Sequence, residues 1–145
     1  CTTVNSLGFN FQNPMLKLTR KLEYALIALR HMQDQRDTFI SAKEIAGIYL
    51  IPQALLAKIL QQMTKLNYIK AAQGPQGGYR IRKGLTEISL TQFVEEIEGP
   101  FGMVDCSISS DCIQLSNCNI RLPINKINQN IRSIFNDIPI TDITN

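Results

Sequence analysis

The sequence predicts a mainly helical fold with a small β-hairpin, a winged helix-turn-helix domain followed by a long C-terminal helix. Three observations predict it. Apolar residues recur at steps of three and four through residues 18–66, behind residues that cap helices. A glycine-rich turn between two short runs follows at residues 68–82. Isoleucines then recur at four and three from Ile120 to Ile138. A chain of 145 residues, 44% hydrophobic, can bury one sizeable core, so one domain with an appended oligomerisation element is expected.

Residues 1–14 carry no charge and neither period, and are expected to be an unstructured prefix; Met15 looks like a natural start. Leu18, Leu22, Ala25, Leu26, Leu29 and Met32 define the first amphipathic helix, with Thr19 as its N-cap. His31, near its end, reads as a solvated residue interacting with the helix dipole. After a polar loop at Asp34–Thr38, Ser41-Ala-Lys-Glu44 forms a capping box for a short second helix with Ile45, Ala46 and Tyr49 facing inward. Pro52 suits the first turn of a third helix. Its buried stripe is Leu55, Leu56, Ile59, Leu60, Met63 and Leu66, which leaves Gln53, Ala54, Lys58, Gln61, Gln62 and Lys65 outside. Such a helix pair is the arrangement whose second helix enters a DNA major groove.

Asn67 is the expected C-cap, followed by a strand over Tyr68–Ala72, a turn over Gln73–Gly78 and a returning strand over Tyr79–Arg82. Glycines in that turn let the backbone approach a phosphate or a minor groove, and Arg80, Arg82 and Lys83 supply charge. Ser89-Leu-Thr-Gln92 opens a fourth helix, with Leu90, Phe93, Val94 and Ile97 inward, that stops at Gly99-Pro100. Residues 15–99 are thus the DNA-binding domain, 100–118 a cysteine loop, and 119–145 a dimerisation helix with a C-terminal segment.

The loop holds Cys106, Cys112 and Cys118 with five residues between successive thiols. That is wider than the roughly two to four residues between zinc-knuckle ligands. Thiolates at this spacing suit an iron–sulfur cluster; the other reading is a loop whose thiols pair as a disulfide. Downstream, Ile120, Ile124, Ile127, Ile131, Ile134 and Ile138 form a narrow coiled-coil seam that calls for a second copy of the chain.

Charge is divided unevenly. Residues 15–83 hold twelve Lys/Arg against four Asp/Glu, a balance of +8, and residues 84–145 hold three against eight, a balance of −5. The first half is the one expected to meet a polyanion. An odd cluster of thiols argues for a reducing cytoplasm, and no apolar run approaches the roughly 18 residues of a membrane span. No nucleophile–base pair or phosphate loop is present, so neither an enzyme nor a small-molecule substrate is expected.

Four stretches in order, Leu18-Thr-Arg-Lys-Leu-Glu-Tyr-Ala-Leu26, Gly74-Pro-Gln-Gly-Gly-Tyr79, the Cys-x5-Cys-x5-Cys loop and Ile138-Pro-Ile-Thr-Asp-Ile143, resemble the IscR/NsrR family of iron–sulfur winged-helix transcriptional regulators. The resemblance implies a cytoplasmic homodimer, a repressor by expectation, that binds a palindromic operator in double-stranded DNA and senses oxygen, iron or nitric oxide through a cluster. It implies Cys106, Cys112 and Cys118 as ligands, with a 4Fe–4S cluster favoured over 2Fe–2S. The histidine used as fourth ligand by some members is replaced by Arg121, which cannot ligate; members that use a carboxylate of the first helix place it at Glu23. The seam Ile120, Ile124, Ile127, Ile131, Ile134 and Ile138 would pair the subunits. Implied DNA contacts are Lys17, Arg20, Ser41 and Lys43, then Gln53, Ala54 and Lys58 on the recognition helix. The wing adds Gln73, Gly74, Pro75, Gly77, Gly78, Tyr79, Arg80 and Arg82, with Gln73 standing where the family often has arginine. The alternative is a cluster-free winged-helix regulator whose thiols sense redox state by forming a disulfide.

Overall fold

A computed structural model describes residues 18–82, 85–100, 102 and 112–144. Helix α1 (Arg20–Asp34) starts where the Thr19 hydroxyl accepts the Leu22 N–H at 3.2 Å. That satisfies one of the orphan donors of the first turn. The same hydroxyl donates to the Glu98 carboxylate, which ties the start of α1 to the end of the fourth helix. Leu22, Ala25, Leu26, Leu29 and Met32 are buried as their spacing requires. Leu18 is not: it precedes the cap, outside the helical register, and is 42% exposed.

Ser41 caps α2 (Ala42–Tyr49) by accepting the Glu44 N–H at 3.1 Å. The helix ends at Leu50, whose backbone is left-handed at φ 54°, and Ile51 N–H closes onto the Ala46 carbonyl at 3.0 Å. Helix α3 (Gln53–Lys65) follows, with Pro52 at φ −56° immediately before it. Leu56, Ile59, Leu60 and Met63 are buried. Leu55, expected inside, is 39% exposed, because the stripe at 56, 59, 60 and 63 already fills the side facing α1. Leu66, the C-cap residue just past the helix, is half-buried and packs against the same core. Asn67 takes φ 65°, and Tyr68 N–H reaches back to the Met63 carbonyl at 3.0 Å, the closure expected of a left-handed C-terminal residue.

Strands β1 (Ile69–Ala72) and β2 (Gly78–Ile81) pair antiparallel, Ile69 opposite Ile81 and Lys70 opposite Arg80. Each is slightly displaced from the sequence expectation, since Tyr68 is spent closing α3 and Gly78 already pairs with Ala72. Ile40 adds a third edge: its N–H and carbonyl exchange bonds with Tyr79 at 2.8 and 2.7 Å. A 3-10 turn at Leu85–Glu87 leads to α4 (Leu90–Glu98), capped by Ser89. Tyr68 and Phe93 meet edge-on at 5.1 Å in the core. The Tyr68 hydroxyl donates to Glu96, and burial first, then that carboxylate, pushes the phenol well above its ordinary range.

Helix α5 (Arg121–Asp137) packs on α4 through Thr91, whose hydroxyl donates to the Arg132 carbonyl at 3.1 Å, and through an Arg132–Glu95 ion pair. The chain then returns to the first domain. Leu90 N–H donates to Ile138 and Ile140 N–H to Ile88, both at 2.8 Å, and Ile140 is fully buried. The short α6 (Thr141–Thr144) lies on α1, where Arg30 donates to the Ile143 carbonyl at 3.2 Å. The last residues therefore complete the core begun by α1. A fully buried side chain such as Ile140 is worth about 1.5–3 kcal/mol by area.

Candidate nucleic-acid interface and cysteine loop

The α2–α3 pair leaves one polar face of α3 in solvent. Gln53, Ala54, Lys58, Gln61 and Lys65 are exposed there, and Leu55 joins Ala54 near the N-terminus as an apolar neighbour that periodicity had assigned to the core. Lys43 is exposed in the first turn of α2. Ser41 is exposed too, but its oxygen is engaged as the α2 cap. Arg20 pairs with Glu23 at 3.1 Å across one helical turn. Lys17, Lys83 and Cys106 lie outside the described residues.

The hairpin stands beside α3, anchored by the Tyr68–Met63 closure and by Arg82 Nη1 donating to Asn67 Oδ1 at 2.8 Å. Gln73, Gly74, Pro75 and Gln76 are exposed at its tip. Gly77 and Gly78 have structural duties: a Cβ on Gly77 would sit 2.3 Å from the Ala72 carbonyl oxygen, and one on Gly78, at φ 143°, 2.5 Å from that of Ile40. Tyr79 has both backbone groups committed to Ile40. The Arg80 guanidinium lies 4.6 Å from the centroid of the Phe39 ring, a cation–π contact that sequence spacing gave no sign of.

His31 differs from the solvated residue expected. It is buried, its Nδ1 is 3.0 Å from the Tyr49 hydroxyl, and the rings meet edge-on; Nε2 has no hydrogen-bond partner among the described residues. Tyr49, expected inside, is 41% exposed, with its hydroxyl against this histidine.

Cys112 and Cys118 are free and half-buried, in a run of turns before α5. Among the described residues no three His, Cys, Asp or Glu side chains converge as a metal site. Of the predicted cluster ligands, Cys112, Cys118 and Glu23 are described, and Glu23 is paired with Arg20.

The proposed seam on α5 divides in two. Ile120, Ile127 and Ile134 are 54%, 44% and 60% exposed, while Ile124, Ile131 and Ile138 are half-buried. The buried position of this helix is polar, Asn128, and Phe135 and Ile138 pack against the core, which leaves Ile120, Ile127 and Ile134 as the exposed apolar edge. Among the described residues no helix is long and apolar enough to cross a membrane.

The family described as "Rrf2: Iron-dependent Transcriptional regulator" matches residues 18–145. Solved structures that share the fold include three regulators. CymR, the global cysteine regulator of B. subtilis, is 18% identical over 89% of this chain and 96% of its own, with a TM-score of 0.68. T. potens IscR is 20% identical over 88% and 85%, with a TM-score of 0.66. An oxidized form of Staphylococcus aureus CymR is 20% identical over 89% and 96%, with a TM-score of 0.64.

Proposed function

This chain belongs to the Rrf2 family of DNA-binding transcriptional regulators, and on that premise we propose that it reads an operator through α3 and the hairpin, and senses redox state through its cysteine loop. The observation that carries the DNA reading is the outer face of α3, where Gln53, Ala54 and Lys58 stand free beside an anchored hairpin. Gln53 suits an adenine edge, Ala54 and Leu55 a thymine methyl, and Lys58 and Lys43 phosphates. The apolar edge Ile120, Ile127 and Ile134 supports pairing with a second copy, which makes the operator an imperfect palindrome.

For the sensor, the accessible free thiols of Cys112 and Cys118 support thiol chemistry, in which two thiols yield two protons and two electrons to an oxidant and become a disulfide. A related solved protein exists in an oxidized form. A second reading, a cluster on Cys106, Cys112 and Cys118 with Glu23, is favoured by their equal spacing and by the family's description as iron-dependent. One experiment separates the two: anaerobic iron and sulfide analysis alongside duplex binding by fluorescence anisotropy, with reduced and oxidised protein. Iron-free protein whose affinity changes on reversible thiol oxidation supports the thiol switch. Stoichiometric iron and sulfide, lost faster from Glu23→Ala, assigns the loop to a cluster. Protein that binds no duplex in any state sinks the DNA reading itself.

A further inference from the structure

A cleft of about 710 Å³ opens between the hairpin, the loop after α1, the 3-10 turn and the start of α6. Its size falls within the roughly 300–1,000 Å³ of small-molecule sites. Four cations line it, Arg36, Lys70, Arg80 and Arg82, and among its described lining residues Asp37 is the only acid, a balance of +3. Lys70 and Arg80 are direct cross-strand partners, an arrangement of like charges that costs a hairpin stability. An anion between them reverses the sign of that cost.

The groups are also held in place. Arg80 is fixed against the Phe39 ring and Arg82 against Asn67, and a guanidinium so anchored by one edge or face keeps other N–H groups for a bidentate acceptor. Buried Ile81 and Leu85 form an apolar wall, and the side chains of Thr86 and Thr141 add hydroxyls. No residue of α2 or α3 lines the cleft. The cleft thus lies off the recognition helix, on the side of the hairpin that meets the loop after α1 and α6. We propose that it is a second ligand site, for a small molecule bearing two or more phosphate groups, apart from the outer face of α3.

Isothermal titration of the full chain with sodium tripolyphosphate at constant ionic strength tests it, for wild type and Arg36→Gln, with duplex affinity measured in parallel. Arg36 is exposed in the loop after α1 and belongs to neither α3 nor the hairpin, so the variant is expected to fold and to bind duplex like wild type. Saturable one-site binding that weakens about tenfold in Arg36→Gln, the worth of one charge-assisted contact, is the expected result. Non-saturating binding, or equal binding by both proteins, overturns the proposal. So does an equal fall in duplex affinity, which would make the cleft part of the DNA surface. A wild type that takes tripolyphosphate but no duplex would instead count against the DNA reading alone.

Discussion

Leu50 is a bulky residue in a conformation that suits glycine. It ends α2 at φ 54°, ψ 42°, between the two helices of the DNA-reading pair, and its side chain is 89% exposed. A left-handed backbone brings an L residue's Cβ against the following carbonyl at a cost of about 1–2 kcal/mol, which glycine escapes. Against that gain, glycine frees the unfolded chain by about 0.4–1 kcal/mol. The 11% of the side chain that is covered is worth only about 0.2–0.3 kcal/mol. Leu50→Gly is therefore expected to stabilise the fold by about 0.5 kcal/mol. Leu50→Ala keeps the strained backbone, so it should be less stable than Leu50→Gly, and Leu50→Ile, β-branched, lower still by about 1 kcal/mol. Urea denaturation of the three variants and wild type, compared by midpoint at unchanged slope, gives the ranking. A Leu50→Ala protein more stable than Leu50→Gly would refute the claim that backbone strain governs this elbow.

Two further substitutions test packing. Gly78→Ala places a Cβ 2.5 Å from the Ile40 carbonyl oxygen, forcing apart the Ile40–Tyr79 bridge, and should cost about 3 kcal/mol in urea unfolding. Gly74→Ala, also at positive φ but with open space around it, should cost only about 1 kcal/mol, and equal losses would contradict the reading. Tyr68→Phe removes the hydroxyl that Glu96 accepts and should cost about 1 kcal/mol near neutral pH. The folded-state phenol is raised, so its contribution is complete below the ordinary value of 10.0 and lost as pH climbs beyond it. The wild-type advantage over Tyr68→Phe, measured by unfolding from pH 7 to 11, should hold level and then shrink above about pH 10; an advantage that grows there would reverse the assigned direction.

The features legible in the residues alone are those set by neighbours a few positions apart. Thr19, Ser41 and Ser89 cap helices because an oxygen there meets an N–H three residues on, and Asn67 closes α3 because its backbone tolerates positive φ. The core stripes of α1 and α3, the hairpin and the apolar edge of α5 follow from period in the same way. What the sequence left undetermined rests on groups far apart in the chain. Burial of His31 depends on Tyr49 crossing from α2, and exposure of Leu55 on how much of α3 the facing α1 covers. Ile140 fills a core built more than a hundred residues earlier, which no local period announces. The cleft is the extreme case: Arg36, Lys70, Arg80, Arg82 and Thr141 share no motif. Hydrogen-bonded periodicity acts within a turn or two of chain, whereas a field of charge exists only once strands have paired and the C-terminal segment has docked.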